Sequence, residues 1–596
     1  MIAERLAALR AEMSKRGIDA YLIPTADFHQ SEYVGRYFTC RKYMTGFTGS
    51  AGSALIMPQK AILWTDGRYF IQAEKELKGS TVELYKMGEE GVPTITKFLE
   101  DYLHEGSCLG FDGRVVDSKT GKILGEIAEK KGASVHWDED LVDLIWADRP
   151  ALSCKPAWSL DVSYVGKTRE EKIAQVRKAM EEAGADIHVI TTLDDIAWLL
   201  NVRGGDVACN PVVLSYVMMT SERVIWFVQG QAVSEELAEE LKAAGVELKE
   251  YSAFYPEVTA LPADKAILLD QSKISYALLK SFAADVKLVD KQNPTVLMKA
   301  IKTSVEMENM RKAHIKDGAA LTKFIYWTKK NVGKIPMDEY SVGEKLEEFR
   351  REQEGFLENS FGAICAYGPN AAQCHYSASK ENCAVIEARG LFLCDSGGQY
   401  YEGTTDVTRT WAVGPLTHEE KLHFTLVMKG MLNLAAAKFL YGCRGINLDY
   451  LARGPLWEQG LDFNHGTGHG VGYLLNVHEA PNGFRWRIVP ERNDSCILEE
   501  GMITSDEPGL YIEGSHGIRT ENLILCKKAE KNQYGQFMEF EHLTMAPIDL
   551  DAVVPELLNE TDKKRLNDYH KDVYEKLAPY MNEEELAWLA EATRVI

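Results

Sequence analysis

The chain has 596 residues, 45% apolar and 26% charged, with a formal net charge of −22. That length exceeds what one hydrophobic core supports and implies two to four domains. The acidity argues against nucleic-acid binding through a broad basic face, and no apolar run is long enough to span a membrane.

The N-terminal stretch IAERLAALRAEMSKRG is amphipathic, reads as a helix ending at Gly17, and lacks the apolar core of a secretion signal. DAYLIP and SALIMP read as strands, and AILWTDGRYF as a strand followed by a helix. Residues 1–159 therefore form a first α/β domain. RLAALRAEMSKRGIDAYLIPTAD at 5–27 lines up with KIAQVRKAMEEAGADIHVITTLD at 172–194, with Met13 matching Met180, Gly17 matching Gly184 and Asp27 matching Asp194. The shared punctuation predicts a second domain of the same type over 160–300. KLVDKQNPTVLMKA reads as a junction, and a long helix over Ser304–Asn331 opens a third domain, 301–533. KKAEKNQYGQ at 527–536 reads as a polar loop. The remainder, 534–596, begins strand-like and is then helical, with Thr561 expected to cap one helix and Asn582 the start of another. Eleven cysteines without CxxC spacing point to reduced thiols in a cytoplasmic protein, with Cys374 and Cys394 read as small buried thiols.

The third domain concentrates the chemistry. LFLCD and VTRTW are strand-like and flank the turn-rich GGQYYEGTT, so an antiparallel pair would bring Asp395 and Asp406 together. MITSDEPGLYI and IRTENLILC flank GSHG and predict a second hairpin carrying Glu507 and Glu521. Four converging carboxylates repel unless cations balance them, and two divalent ions would do so. HGTGHGVG offers His469 as a nitrogen ligand. Its four glycines argue for a loop or strand and against the helix of a zincin-like pair with His465. One imidazole with four carboxylates favours manganese, with zinc or cobalt as alternatives.

The order Asp, Asp, His, Glu, Glu with these flanks resembles the pita-bread metallopeptidases, and among them the long three-domain cytosolic Xaa-Pro aminopeptidases. The matching stretches are DSGGQYYEGTTDVTRT, HGTGHGVGYLLNVHEAP, TSDEPGLY and RTENL. They extend back through CHYS at 374–377, NPTVLMKAIK, LDDIAWLLNVRGGD and MTGFTGSAG, across nearly the whole chain. The resemblance implies an α/β (α+β) architecture. Two related creatinase-like domains would precede a pita-bread catalytic domain, and a C-terminal extension would pack on that domain. Metal ligands would be Asp395, Asp406, His469, Glu507 and Glu521, with Asp406 and Glu521 bridging two ions. A bridging hydroxide would attack the bond between any first residue and a penultimate proline, with Glu507 as general base. His478 or His375 would hydrogen-bond the developing oxyanion and His465 would line the proline side, the division of labour among the three remaining open. Tyr511 and Arg519 would support the site, Arg519 by orienting a carboxylate. The resemblance also implies a homodimer.

Two readings compete. Prolidase, the dipeptidase of the same fold, would accept only dipeptides. A non-catalytic peptide- or protein-binding module of this fold would typically have lost ligands, and here all five positions are filled.

Overall fold

The computed structural model describes residues 2–489 and 495–596 and divides into two compact units: residues 1–160 with 167–295, and 161–166 with 296–596.

The first unit contains two six-stranded sheets of one topology. In the first, the spatial order is Glu83–Lys86, Ala61–Thr65, Ser53–Ile56, Ala20–Pro24, Cys108–Phe111, Ser134–His136. In the second it is Val246–Glu250, Val224–Val228, Ser215–Thr220, Ile187–Ile190, Ala266–Leu269, Lys287–Asp290. The first strand of each sheet pairs antiparallel with the strand of the following hairpin and parallel with a later strand. The outer pairings repeat in the same sense. Each sheet is preceded by an equivalent helix, Ile2–Arg16 or Arg169–Glu182, followed by Gly17 or Gly184 at positive φ. The internal repeat read at 5–27 and 172–194 is thus a repeat of helix, glycine turn and first strand.

The second unit opens with α1, Ser304–Asn331. Thr303 caps it: the side chain accepts from Glu306 N–H while Glu306 reaches back to Thr303 N–H. Helix α2, Glu339–Arg351, is capped by Asp338. Strands β1 (Phe356–Asn359), β2 (Ile364–Tyr367), β3 (Leu391–Ser396), β4 (Gly398–Tyr400), β5 (Gly403–Thr404) and β6 (Val407–Ala412) follow. They build two three-stranded sheets, β1–β4–β5 and β2–β3–β6. The stretch GGQYYEGTT, expected as a turn, is itself the β4–β5 hairpin, anchored on β1. After α3 (His418–Ala435), β7 (Lys438–Leu440) and α4 (Tyr450–Trp457) come β8 (Gly468–Gly470), β9 (Glu479–Phe484), β10 (Ile503–Asp506), β11 (Gly509–Ile512), β12 (His516–Arg519), β13 (Asn522–Asn532) and β14 (Gly535–His542). Their large sheet has the order β7–β14–β13–β10–β8–β9, and β11–β12 stand apart as a ribbon.

Three local expectations need correction. The supposed polar loop at 527–536 is the end of β13, a two-residue turn and the start of β14. Its alternation of exposed charge masked a hairpin that turns one face to solvent. The helix α5, Glu560–Leu577, is capped by Asn559 rather than Thr561, because Asn559 and Asp562 supply the reciprocal cap. The following helix α6, Glu583–Ala592, is capped by Asn582 as expected. Finally, the stretches read as one continuous hairpin around GSHG are each broken in two. β10 pairs with β13, and β11 pairs with β12. Pro508, which has no N–H to continue a ladder, falls in the first break.

The core beneath these sheets is apolar and closed. Phe424, Val427, Met428 and Met431 of α3 pack with Ile524, Met538, Leu566 and Val573, which joins the C-terminal helices to the large sheet.

Candidate functional site

Asp395 lies near the end of β3, opposite Thr408 of β6 in antiparallel register, and Asp406 lies one residue ahead of β6. The two buried aspartates are therefore brought together at the end of a fully buried ladder. Glu507 and Glu521 occupy the two strand breaks, where the backbone leaves one sheet for another. Glu507 N–H donates to the Thr467 carbonyl at 2.8 Å, and Glu521 N–H donates to the Thr408 carbonyl at 3.1 Å. Each carboxylate thus sits on backbone fixed by a segment remote in sequence.

His469 is the middle residue of β8, wedged between β9 and β10. Its Nδ1 lies 2.9 Å from the Gly470 carbonyl and so carries the proton, which leaves Nε2 as a free donor to a cation. Nε2 lies 3.5 Å from Asp406 Oδ2 and 3.3 Å from Glu507 Oε1. Ser505 Oγ accepts from His469 N–H at 2.9 Å and donates to Glu507 Oε1 at 3.0 Å, joining the two residues. Donor atoms of Asp406, His469 and Glu521 lie within 4.8 Å of one another.

Burial and charge make this cluster unfavourable as it stands. Asp406 is 4% exposed and Glu521 1%. Burial, then the neighbouring Asp395 and Glu507, pushes the Asp406 carboxyl well above the usual carboxylate range. Burial, then Asp406 and Glu507, does the same to Glu521. Asp395 Oδ1 and Glu521 Oε1 are buried without any hydrogen-bond donor. Orphaned acceptors in a like-charged buried cluster, beside an imidazole nitrogen with a free lone pair, are what a divalent-cation site presents. The five residues fit that role.

A second layer orients them. Arg519 Nη2 donates to Asp395 Oδ2 at 2.5 Å, Nη1 to Tyr511 Oη at 2.6 Å and Nε to Thr408 Oγ1 at 3.2 Å. Thr408 Oγ1 in turn donates to Glu521 Oε2 at 2.8 Å. His465 Nδ1 faces the Gly466 carbonyl at 2.8 Å, so Nε2 accepts from Tyr511 O–H at 2.8 Å. Burial, then the nearby Arg519, lowers the His465 pKa to about 3, so this imidazole is neutral. His478 stands edge-on to His469 with ring centroids 4.3 Å apart. His375 follows Cys374, whose carbonyl accepts from Arg519 at 3.4 Å. Of the two thiols singled out, Cys394 is buried and Cys374 partly so.

Sequence reasoning passed over Ser505, Thr408, Thr467, Asp449 and Arg453. Ser505 and Thr408 carried a weak signal, each two residues from a ligand candidate within a run that reads as a strand, where such a spacing puts both on one face. Asp449 and Arg453 carried none. Arg453 spans Asp449, Asp462 and the carbonyls of Phe463 and His465, which fixes the loop leading into β8.

Gly468 shows how tight this packing is. A Cβ there would lie 1.7 Å from the Ser505 carbonyl oxygen. Gly468→Ala is expected to push β8 off β10 and weaken cation binding about 10–100-fold, as loss of a supporting contact typically does. Calorimetric titration with manganese measures it, and unchanged affinity would contradict the geometry.

Four family models match successive stretches of the chain. The creatinase/prolidase N-terminal domain matches 5–136 and, in a second form, 148–306. Metallopeptidase family M24 matches 308–528, and the C-terminal region of the M24 peptidases matches 536–596. The chain belongs to metallopeptidase family M24, as a hydrolase with two creatinase-type domains ahead of its pita-bread peptidase domain. It is 41% identical to a probable Xaa-Pro aminopeptidase P of Pyrenophora teres f. teres, across 99% of this chain and 92% of the relative. It is 39% identical to that of Paracoccidioides brasiliensis strain Pb03, across 100% and 99%. Among solved structures, an X-prolyl aminopeptidase from Caenorhabditis elegans, described as a cytosolic enzyme with a di-nuclear active site, superposes over 100% of both chains with TM-score 0.95 and 34% identity. A Bacillus anthracis Xaa-Pro dipeptidase covers 64% of this chain and 99% of its own, with TM-score 0.51 and 26% identity. No helix among the described residues is long and apolar enough to cross a membrane.

Proposed function

We propose that this chain is a two-metal aminopeptidase that releases the first residue of peptides whose second residue is proline. The observation that carries the reading is the buried, like-charged cluster with orphaned carboxylate oxygens. The activity for which the full-length relatives are named supplies the substrate class. Asp395, Asp406, His469, Glu507 and Glu521 would hold two divalent ions, with manganese preferred over zinc or cobalt by the oxygen-rich donor set. Such ions supply charge neutralisation and ionise a water near neutral pH.

The chain's own residues do the rest. Glu507, steadied by Ser505, takes the proton from the attacking water and delivers it to the departing nitrogen. That nitrogen belongs to a tertiary amide and must be protonated to leave as the proline amine. His478 and His375 donate hydrogen bonds to the substrate carbonyl oxygen as it gains charge. His465, neutral and braced by Tyr511, gives the proline ring an uncharged wall. Arg519 holds Asp395 in place. The same reading keeps the domain division at 1–159, 160–300, 301–533 and 534–596. It places the enzyme in the cytoplasm as a homodimer, without nucleic-acid or membrane partners.

The test is product analysis by mass spectrometry of Arg-Pro-Pro-Gly-Phe, the dipeptide Arg-Pro and a proline-free control, each incubated with enzyme and manganese. Arginine is expected from the pentapeptide, and neither with chelator present nor from the control. Cleavage of the dipeptide alone would make the enzyme a dipeptidase. No cleavage by metal-loaded protein would overturn the substrate class.

A further inference from the structure

The connection from Tyr367 to Leu391, between β2 and β3, is long and almost without regular structure beyond a 3-10 turn at Gly368–Ala372. It carries His375. Connections of this length in a compact domain are unusual unless functional, and they need tethers to hold one conformation.

One buried carboxylate supplies them. Glu339, the first residue of α2, is 1% exposed. It accepts from Tyr367 N–H at 2.7 Å, Asn370 Nδ2 at 3.0 Å, Tyr376 O–H at 2.6 Å and Ala384 N–H at 2.6 Å. Its own N–H donates to the Ala384 carbonyl at 3.1 Å. These donors bracket His375 on both sides, and Tyr376 is its neighbour. From the opposite side, Arg519 reaches the Cys374 carbonyl, and Gly517 lies so close that a Cβ would be 1.8 Å from the Ala371 oxygen.

Helix capping does not account for Glu339. Asp338 performs that task, its Oδ1 accepting from Ser341 N–H at 2.7 Å. Nor would an amide serve, because four donors need both oxygens as acceptors, and Gln would turn an NH2 toward them.

We propose that Glu339 is a positioning residue that acts through His375, holding the 367–384 connection in the one conformation that presents this histidine to the substrate. The inference rests on the aminopeptidase reading above for its kinetic consequence. Its structural half stands apart from that reading.

The test uses the full-length, metal-loaded protein and Arg-Pro-Pro-Gly-Phe. Glu339→Ala is expected to lower kcat about 30-fold or more with KM changed less than about 3-fold, since the histidine's contact strengthens toward the transition state. In a His375→Ala background the same substitution is expected to cost less than about 3-fold, because the residue it serves is gone. Tyr376→Phe, which removes the hydroxyl that donates to Glu339 and accepts from Asn370 but leaves the carboxylate, should lower kcat about 5-fold, and it carries the test if Glu339→Ala fails to fold. Hydrogen exchange should accelerate in Glu339→Ala at 368–384 and stay unchanged in β3 and β6, with metal content intact. Equal losses in both backgrounds, or unaltered kcat, would overturn the role through His375. Unaltered exchange would overturn the anchoring itself, and it does so even if the wild-type protein cleaves no proline peptide and the functional reading fails alone.

Discussion

Asp406→Asn is expected to abolish turnover by about three orders of magnitude or more, the several kcal/mol that cation-assisted hydrolysis is worth. It should also bring metal content below that of the wild type. The same substitution should act in the opposite direction on the metal-free protein. Asp406 lies buried beside Asp395 and Glu507, whose charges raise its pKa after burial has done so. An uncharged amide of the same shape relieves that repulsion. The chelator-treated variant is therefore expected to melt above the chelator-treated wild type, while added manganese raises the melting point of the wild type only. Thermal denaturation with and without metal reads both. A variant that melts below wild type without metal would show that the cluster is not held against repulsion.

Arg409→Met should be the most destabilising single change in the second unit. Arg409 is 1% exposed. Its guanidinium donates to the carbonyls of Thr408, Glu521, Ala546 and Pro547, to Asn522 Oδ1 and to Tyr569 Oη. One side chain thus stitches β6, the start of β13 and the segment that follows β14. Each buried acceptor left without a donor costs about 1–3 kcal/mol, and such losses overlap, so a total above ~3 kcal/mol is expected. Lysine cannot replace it, having three donors on a flexible stem against a planar fork. Urea denaturation followed by fluorescence, together with limited proteolysis, checks this. The first cuts should appear within 544–596, and wild-type protease resistance would argue against the network's importance.

The parts of the fold legible in sequence were those with local signals. The helix Ser304–Asn331 was legible as one long helical run, and the duplicated start of the first unit through matched helix, glycine and strand. The antiparallel pairing of β3, which carries Asp395, with β6, which starts just after Asp406, followed from two β-rich runs flanking turn residues. What escaped was non-local. The runs around Glu507 and Glu521 read as unbroken strands because propensity does not reveal which sheet a strand joins, and only tertiary pairing divides β10 from β11 and β12 from β13. Arg519 was legible as a supporting residue. Its partners, Thr408 and the Cys374 carbonyl, were not, since nothing local links positions so far apart. Glu339 offered no cue beyond being an acidic residue in a first helical turn.

The two strand breaks have a further consequence for how the chain acquires its metal. Thr408 and Glu521, joined through side chain and backbone, are 113 positions apart, and Thr467 is joined to Glu507. The five candidate ligands are spread from Asp395 to Glu521, and no stretch shorter than that holds the full set. Asp395 with Asp406 and Glu507 with Glu521 lie close in sequence, but an extended chain would have to close large loops, at an entropic cost, before the two pairs and His469 could act on the same ions. Cations therefore have little to bind before the sheets have assembled, unlike a finger or loop whose ligands are clustered in sequence. The apo chain must reach its topology through hydrophobic burial and backbone pairing alone. Whatever affinity the finished site has for its ions is then added to the native state almost undiminished.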